Sequence, residues 1–381
     1  MSGISLENVS KKYGNFTAVN SVSLEIQNAE FVAILGPSGC GKTTTMNMIA
    51  GLEDITSGTI RFDNRDVTNL KVQQRGVGFV FQNYAIFTHM SVRDNLAFGL
   101  RIKNLSQADI DRKVGEMAEF MALSHRLEEK SSSLSVNELQ KLAIGRSAIV
   151  EPSIFLLDEP LSNLDAAFRE RMRSDLRELQ RELKQTMVYV THDQIEAMGL
   201  ADKIAVMNQA HLQQFATPEE IYARPANVFV ARFIGAPSMN IVSGTLHQMG
   251  DNLELHIGGR AADSLRLPLP LANAAKVLGY QGLLFGFRPE TLSVSNTPGP
   301  DCIAADVALV ETVGRRRIVH FQSGGTKFLG VFDRSFSLRS GDATYVRFDL
   351  SRCHLFDPET ELRLKPCDAP SMTVEKERAY G

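Results

Sequence analysis

The chain has 381 residues, 43% hydrophobic and 22% charged, with a formal net charge of −3. At about 100–200 residues per domain, this length predicts two or three domains. The small negative charge excludes a global positive field that would draw the chain onto nucleic acid or anionic lipid.

The N-terminal MSGISLENVS has no apolar segment of the secretory kind. No apolar run approaches the roughly 20 residues that span a bilayer, so a membrane process would need another chain to do the spanning. The cysteines at 40, 302, 353 and 367 form no CxxC pair and no zinc-spaced cluster, which predicts unpaired thiols in a reducing cytoplasm.

In chain order, ISLENVSKKY, SVSLEI and FVAILG read as strands. FVAILG is almost wholly apolar, as a strand covered on both faces should be. A glycine-rich turn and the helix TTTMNMIAGL follow. SQADIDRKVGEMAEFMAL opens with a capping Ser and continues with helical apolar spacing, within a region (105–150) that reads as helical. IFLLDEP (154–160) is a further buried strand. LDAAFRERMRSDLRELQRELKQ is a charged amphipathic helix with Met172, Leu176, Leu179 and Leu183 on one stripe. TMVYVTHD and KIAVMN are strands again. This alternation predicts an α/β domain with a largely parallel sheet over 1–235, carrying a helical subdomain over about 88–150. From 236 to 381 the pattern changes to short strands broken by Gly and Pro: ADSLRLPLPL, GLLFGFRPETLSV, RRIVHFQ, TKFLGVF and ATYVRFDL. RRIVHFQ and TKFLGVF, joined by SGG, predict a hairpin. The expectation is an all-β domain, a small barrel, with a mobile tail over about 366–381.

GPSGCGKT (36–43) matches G-x-x-x-x-G-K-[ST] in the required place, after a strand and before a helix. Gly39 and Gly41 let backbone N–H groups turn toward phosphate oxygens. Lys42 can reach the β/γ-phosphates, and the Thr43 hydroxyl can ligate Mg²⁺. In IFLLDEP, Asp158 is placed for Mg²⁺ and Glu159 for an attacking water as general base. His192 in VTHD and Gln82 in FVFQNY follow strands; taken singly, each is more often structural than catalytic.

The series Tyr13, GPSGCGKT, Gln82, LS at 134–135, LLDEP, SNLD (162–165) and His192 resembles the ATP-binding cassette ATPases throughout 1–235. FQNYAIFTHMSVRDNLAFGL, LDEPLSNLDA, VTHDQIEAM, FIGAPSMN, GFRPETL and LFDPETELRL resemble the ATPase subunits of maltose/glycerol-phosphate (carbohydrate uptake) importers. The resemblance implies a P-loop NTPase fold with a helical subdomain, followed by an OB-like (TOBE) regulatory domain. It implies ATP and Mg²⁺ as cofactors, with metal contacts from Thr43, Gln82 and Asp158. Tyr13 would stack on adenine, the alternative being ordinary packing. Gly36, Pro37, Ser38, Gly39, Cys40, Gly41, Lys42, Thr43 and Thr44 would wrap the phosphates. Gln82 would sense Mg²⁺ and the attacking water, and His192 would contact the γ-phosphate. Ser135 and Asp165 would face a second ATPase subunit. Two transmembrane permease subunits would dock in a groove around 82–98, where Tyr84, Ile86, Phe87 and Met90 are either exposed contacts or core. An external solute-binding protein would act indirectly. The implied location is the cytoplasmic face of the bacterial inner membrane, peripherally bound.

One element departs from the family. LSVNE (134–138) stands where these ATPases carry LSGGQ. Glycines allow backbone N–H groups to approach the γ-phosphate, which the stiff, branched Val136 would crowd. Glu138 would face a phosphate across about 6 Å, a repulsion of roughly 3 kcal/mol at an effective dielectric near 20. The same residues also form an [ST]-x-x-[DE] capping box, which needs no phosphate. The expectation is an impaired signature in one half of an asymmetric ATPase pair. Alternatives are a nucleotide-binding regulatory subunit with little hydrolysis and a soluble, non-transport cassette protein. A GTPase would carry NKxD, which is missing. Few aromatics interleave with basic residues, so no nucleic acid partner is expected.

Overall fold

The computed structural model describes residues 2–365 except 163, 250, 251, 258–263, 277–281 and 300. The tail assigned to 366–381 lies outside the described residues. The chain divides into two units, 1–218 and 219–381.

In the first unit, β1 (Ile4–Tyr13) and β2 (Phe16–Ile26) form an antiparallel hairpin. The phosphate loop joins β3 (Phe31–Leu35) to α1 (Lys42–Ala50). β4 (Ser57–Phe62) pairs with β1, and the short β5 (Arg65–Asp66) completes a four-stranded sheet of order β2-β1-β4-β5. The helix α2 (Val72–Arg75) leads to β6 (Val77–Val80). Then come α3 (Val92–Ile102), α4 (Gln107–Phe120) and α5 (Val136–Ala148). The remainder is β7 (Ile154–Asp158), α6 (Ala166–Leu183), β8 (Thr186–Thr191), α7 (Gln194–Leu200), β9 (Lys203–Asn208) and β10 (His211–Ala216).

The main sheet has the order β10-β9-β3-β8-β7-β6. It is parallel except where β10 runs against β9. Alternating side chains of its middle strands enter two cores. Val32, Ile34, Ile154, Leu156, Val188 and Val190 pack with α1 and the antiparallel sheet. Phe31, Phe155, Leu157, Met187 and Tyr189 pack against the helices on the other face. Burial on both faces explains why FVAIL and IFLLD lack polar alternation. Each buried aliphatic side chain contributes about 1.5–3 kcal/mol relative to exposure. On α6, Met172, Leu176 and Leu179 are buried and Leu183 is partly buried against the same core, as their spacing predicts.

The second unit begins with α8 (Pro218–Ala223) and α9 (Val228–Phe233). Both lie within 1–235, the stretch that the sequence pattern assigned to the first domain. Their packing differs: Val228 and Ala231 cluster with Met239 and Phe356.

Ten strands follow: β11 (Asn240–Met249), β12 (Asn252–Ile257), β13 (Ser264–Arg266), β14 (Leu283–Phe287) and β15 (Leu292–Ser295), then β16 (Cys302–Val313), β17 (Arg316–Ser323), β18 (Thr326–Asp333), β19 (Ala343–Phe348) and β20 (His354–Phe356). They make two antiparallel five-stranded sheets, β13-β12-β11-β14-β20 and β15-β19-β16-β17-β18. The β17–β18 hairpin forms as expected; Gly324 and Gly325 turn it with φ of 50° and 92°. Such positive angles suit the twist of the flanking strands.

ADSLRLPLPL is not one strand. Only Ser264–Arg266 is extended, and Leu269–Lys276 is a helix, α10. Proline is tolerated in a first helical turn because that N–H would be unsatisfied anyway, and LANAA continues with good helix formers.

The sheets share a core in which Phe287 meets Phe348 at 4.9 Å and Phe328 at 5.7 Å, both edge-on. Asn240 links them by imitating a strand: its Nδ2 donates to Leu329 O at 2.8 Å and its Oδ1 accepts from Leu329 N at 2.8 Å. Asn240→Ala would leave both backbone groups unpartnered in a site only 9% exposed. The expected loss is about 1–3 kcal/mol, measured as a lower urea midpoint with unchanged slope.

Candidate functional site

The phosphate loop is shaped by close contacts that exclude side chains. A Cβ on Gly36 would lie 2.3 Å from Met207 O. One on Gly41, where φ is +101°, would lie 2.4 Å from Ala18 O. The adjoining helix is closed by Thr45, whose N and Oγ1 donate to Gly41 O at 2.8 and 2.9 Å. Lys42 is 6% exposed and folds along the loop, donating to Gly36 O and Pro37 O at 2.9 Å each. Ser38 and Gly39 are exposed, Pro37 and Thr44 are half-buried, and the Cys40 side chain is buried. Cys40 can therefore meet a phosphate only through its backbone.

At the end of β7, Asp158 is 8% exposed and accepts from the Thr43 hydroxyl at 3.2 Å. Burial pushes its pKa above the ordinary carboxylate value, and the Glu159 charge adds to this. Thr43 and Asp158 thus bring two hard oxygen donors together, the type Mg²⁺ takes.

Glu159 has a left-handed backbone, φ 43°, and its N–H donates to Val190 O at 3.0 Å. Held this way, its carboxylate receives two residues distant in sequence. Gln82 Nε2 donates to Oε2 at 3.3 Å, and His192 Nδ1 lies 3.2 Å from Oε1. A cavity of about 450 Å³ lined by Phe81, Gln82, Asn83 and Asp158 opens beside them. Phosphate loop, paired acids, Gln and His are therefore one site, joined at the C-terminal ends of β3, β7, β8 and β6. An uncommon backbone angle on a charged residue fits a functional constraint.

Tyr13 lies at the end of the β1–β2 hairpin and is 47% exposed. Its face carries Lys11 Nζ 4.9 Å from the ring centroid, and the Lys11 ammonium pairs with Glu53 at 2.6 Å. The ring is not core packing. In the 82–98 segment, Tyr84 and Ile86 pack partly against the core, whereas Phe87 lies between Phe98, at 4.7 Å, and the Arg146 guanidinium, at 4.9 Å.

Sequence reading missed the residues that position His192. Glu196 is 3% exposed and accepts from Thr191 Oγ1 at 2.6 Å and Tyr189 Oη at 2.8 Å. Asp193 caps α7 through Ile195 N at 2.7 Å and Glu196 N at 3.3 Å. Arg169 on α6 pairs with Asp193 at 3.4 Å. The local signal was present: D-x-x-E before an apolar run is a helix-start pattern like that of LSVNE.

LSVNE itself forms the capping box. Ser135 N and Oγ donate to Glu138 Oε2 at 2.8 and 2.7 Å, and Glu138 N returns a long bond to Ser135 Oγ at 3.4 Å. These contacts with Ser135 hold the Glu138 carboxyl below its ordinary pKa, with smaller help from Arg126. Val136 is 49% exposed. Asn137 Nδ2 donates to Asp165 Oδ2 at 3.4 Å, while Asp165 Oδ1 caps α6 by accepting from Phe168 N at 2.9 Å. Asn163, in the SNLD stretch, lies outside the described residues.

Strand, glycine loop, helix and a paired acid at the end of β7, one strand removed from β3, define a nucleotide-hydrolysing P-loop protein. The ABC transporter family model matches residues 19–162. The trehalose/maltose import ATP-binding protein MalK of Thermococcus litoralis is 42% identical over 376 residues, covering 94% of this chain and 99% of its own. The sn-glycerol-3-phosphate import ATP-binding protein UgpC 1 of Rhizobium johnstonii is 41% identical, covering 94% and 95%. The xylose/arabinose import ATP-binding protein XacK of Haloferax volcanii is 41% identical, covering 97% of each chain. The chain belongs to the ATP-binding proteins of ABC transporters. It is an ATPase coupled to transport. Among the described residues no helix is long and apolar enough to cross a membrane.

Removing the Ser135 hydroxyl in Ser135→Ala is expected to cost about 1 kcal/mol in chemical unfolding. Glu138→Gln tests the charge. A depressed folded pKa stabilises above the unfolded value and is lost as pH falls through the folded one. The stability gap between wild type and Glu138→Gln should be widest near neutrality and close below pH 4.5, the ordinary glutamate value. Thermal melts across pH 3–8 would read it.

Proposed function

We propose that this chain powers uptake of a sugar, polyol or glycerol-phosphate-like solute, working with membrane permease subunits at the cytoplasmic face of the inner membrane. The support for the solute class is the import function of each of the relatives named above. The observation that carries the hydrolytic assignment is the convergence of Gln82 and His192 on the Glu159 carboxylate, beside the Thr43–Asp158 pair.

In this reading ATP lies with its phosphates along Gly36–Thr44, with Tyr13 against adenine. Lys42 turns from its carbonyl partners to the β/γ-phosphates. Mg²⁺, held through Thr43 and Asp158 with Gln82 beside it, would neutralise phosphate charge. Glu159 takes the proton from the attacking water, Gln82 orients that water, and His192 meets the γ-phosphate. The segment 82–98, with the exposed edges of Phe81 and Phe98, receives the permease subunits, which an external solute-binding protein serves. The two five-stranded sheets are an OB-like regulatory domain beginning near 236.

The pairing of ATPase subunits follows from LSVNE. In the family arrangement a partner's ATP would meet Ser135 and the start of α5. Here the Ser135 N–H and hydroxyl already serve the chain's own Glu138 carboxylate. A γ-phosphate would have to displace a tethered anion. The chain therefore receives phosphate contacts better than it gives them, and an unlike partner with an intact glycine signature would complete one strong and one weak site. Asp165, tied to Asn137, faces that partner.

Glu159→Gln should lower ATP hydrolysis by about 10²–10⁴-fold while nucleotide binding persists, read by phosphate release and by nucleotide-analogue fluorescence. Unchanged transport in the complex would overturn the hydrolytic role and favour a regulatory subunit. The purified chain alone should hydrolyse ATP slowly. Gly at 136 and 137 with Gln at 138 should raise that rate at least about tenfold, since about 1.4 kcal/mol of recovered contact is a factor of ten. Fast turnover by the lone wild-type chain would sink the asymmetric pair.

A further inference from the structure

The second unit contains a cavity of about 650 Å³ whose lining is strongly basic. Arg224, Arg288, Arg352 and Arg363 all border it, together with His354 and Tyr222, and among the described residues its lining includes no Asp or Glu. These residues come from five places: the end of α8, the turn after β14, the turn before β20, β20 itself, and the segment after it. The fold gathers charges here that the chain spreads over 140 positions.

The four arginines differ. Arg288 is 3% exposed and serves the fold: it donates to Tyr222 O at 2.9 Å, and to Ala231 O and Ile234 O, so it closes the end of α9. Its guanidinium also stacks 4.0 Å from the Tyr222 ring centroid. Its hydrogen-bond partners are neutral carbonyls, and the nearby Glu290 carboxylate favours its charged form. Arg363 has a buried Nε without a partner. Burial lowers its pKa, and the Arg224 charge lowers it further. His354 is pushed down to about 4, by burial first and then by Arg363 and Arg288. The imidazole is therefore neutral near pH 7 and adds no repulsion, and its ring is hydrogen-bonded to the Ala223 backbone. Two carboxylates adjoin the cavity and accept hydrogen bonds from neutral donors. Glu290 accepts from the Tyr222 hydroxyl, and Asp349 accepts from Ser351 N at 3.2 Å and Ser351 Oγ at 2.6 Å.

Like charges gathered in one cavity destabilise the fold unless an anion offsets them. Guanidinium groups match phosphoryl oxygens with paired N–H donors. The volume lies within the range of small-molecule sites, about 300–1,000 Å³. Pro268, Pro270 and Leu271 supply apolar wall on one side, room for a carbon skeleton beside a charged group. We propose that this cavity binds a small phosphoryl-bearing anion, with Arg352, Arg363 and Arg224 as its charge partners and Arg288 as the fixed background charge. The ligand is either a phosphorylated metabolite or phosphate itself. Nothing in this inference depends on the hydrolytic assignment or on the transported solute.

The test is calorimetric titration of the full chain with glucose 6-phosphate, inorganic phosphate and glucose in turn. The Lys42→Ala chain is titrated alongside, because the phosphate loop also attracts phosphate. Glucose 6-phosphate or inorganic phosphate should bind with a Kd below about 1 mM, and glucose should not bind. Tighter binding of the ester identifies a metabolite site; equal binding identifies phosphate as the ligand. Arg352→Glu, on an exposed turn, should weaken binding at least about tenfold, the least expected for losing a charged hydrogen bond. Arg363→Gln should weaken it as well, and Lys42→Ala should retain it. Circular dichroism checks each fold; should Arg363→Gln unfold, Arg352→Glu and the milder Arg352→Ala decide the matter. The proposal falls if neither phosphoryl compound binds below 1 mM. It falls equally if Lys42→Ala abolishes binding while Arg352→Glu leaves it intact.

Discussion

Burial of the parallel strands β3, β7 and β8 on both faces is the constraint on which the rest of the first unit depends. Their side chains alternate between two apolar cores, which leaves only the strand ends for polar chemistry. Those ends deliver the phosphate loop, Asp158–Glu159 and His192 to one edge, and β6 delivers Gln82 there. A parallel sheet must place successive C-terminal ends together, because each crossover returns the chain in the same direction. The Glu159 carboxylate is then aimed by the left-handed backbone of that residue, anchored through Val190 O.

The same physics works against phosphate at LSVNE. A helix N-terminus has unpaired N–H groups and a partial positive charge, and any suitable anion satisfies it. Glu138 is tethered three residues from Ser135, so its effective concentration there exceeds that of a ligand on a second subunit. The capping box and the phosphate contact compete for one set of donors. Asn137 adds a second intrachain tie, to Asp165, on the face where a partner would be met. The donors at the start of α5 are thus occupied from within the chain, where LSVNE stands in place of a glycine signature.

Legibility varied with the range of the interaction concerned. The phosphate loop, both buried strands, the α6 stripe and the capping box depend on neighbours within a few positions, and each was readable. The LPL that ends ADSLRLPLPL was misread as strand because alternating Leu and Pro imitates a two-residue period, although proline belongs comfortably in a first helical turn. The grouping of α8 and α9 with the second unit was invisible for another reason. It rests on Arg288 reaching Tyr222, Ala231 and Ile234 from more than 50 positions away. Glu196 was overlooked because a lone Glu in a short helix carries no local mark of burial, and only the packing of Tyr189 and Thr191 around it reveals its purpose.

The sequence by itself determined the class of chemistry, because the phosphate loop and the acid pair are contiguous motifs whose spacing is set by backbone geometry. It also determined the occupation of the α5 N-terminus, a contact across three residues. Only the tertiary structure decided that Gln82 and His192 share the Glu159 carboxylate, that Tyr13 is exposed rather than core, and that four scattered arginines border one cavity. Those facts depend on which strand ends and turns meet in space. Chain order leaves that open until burial of the apolar faces selects one arrangement.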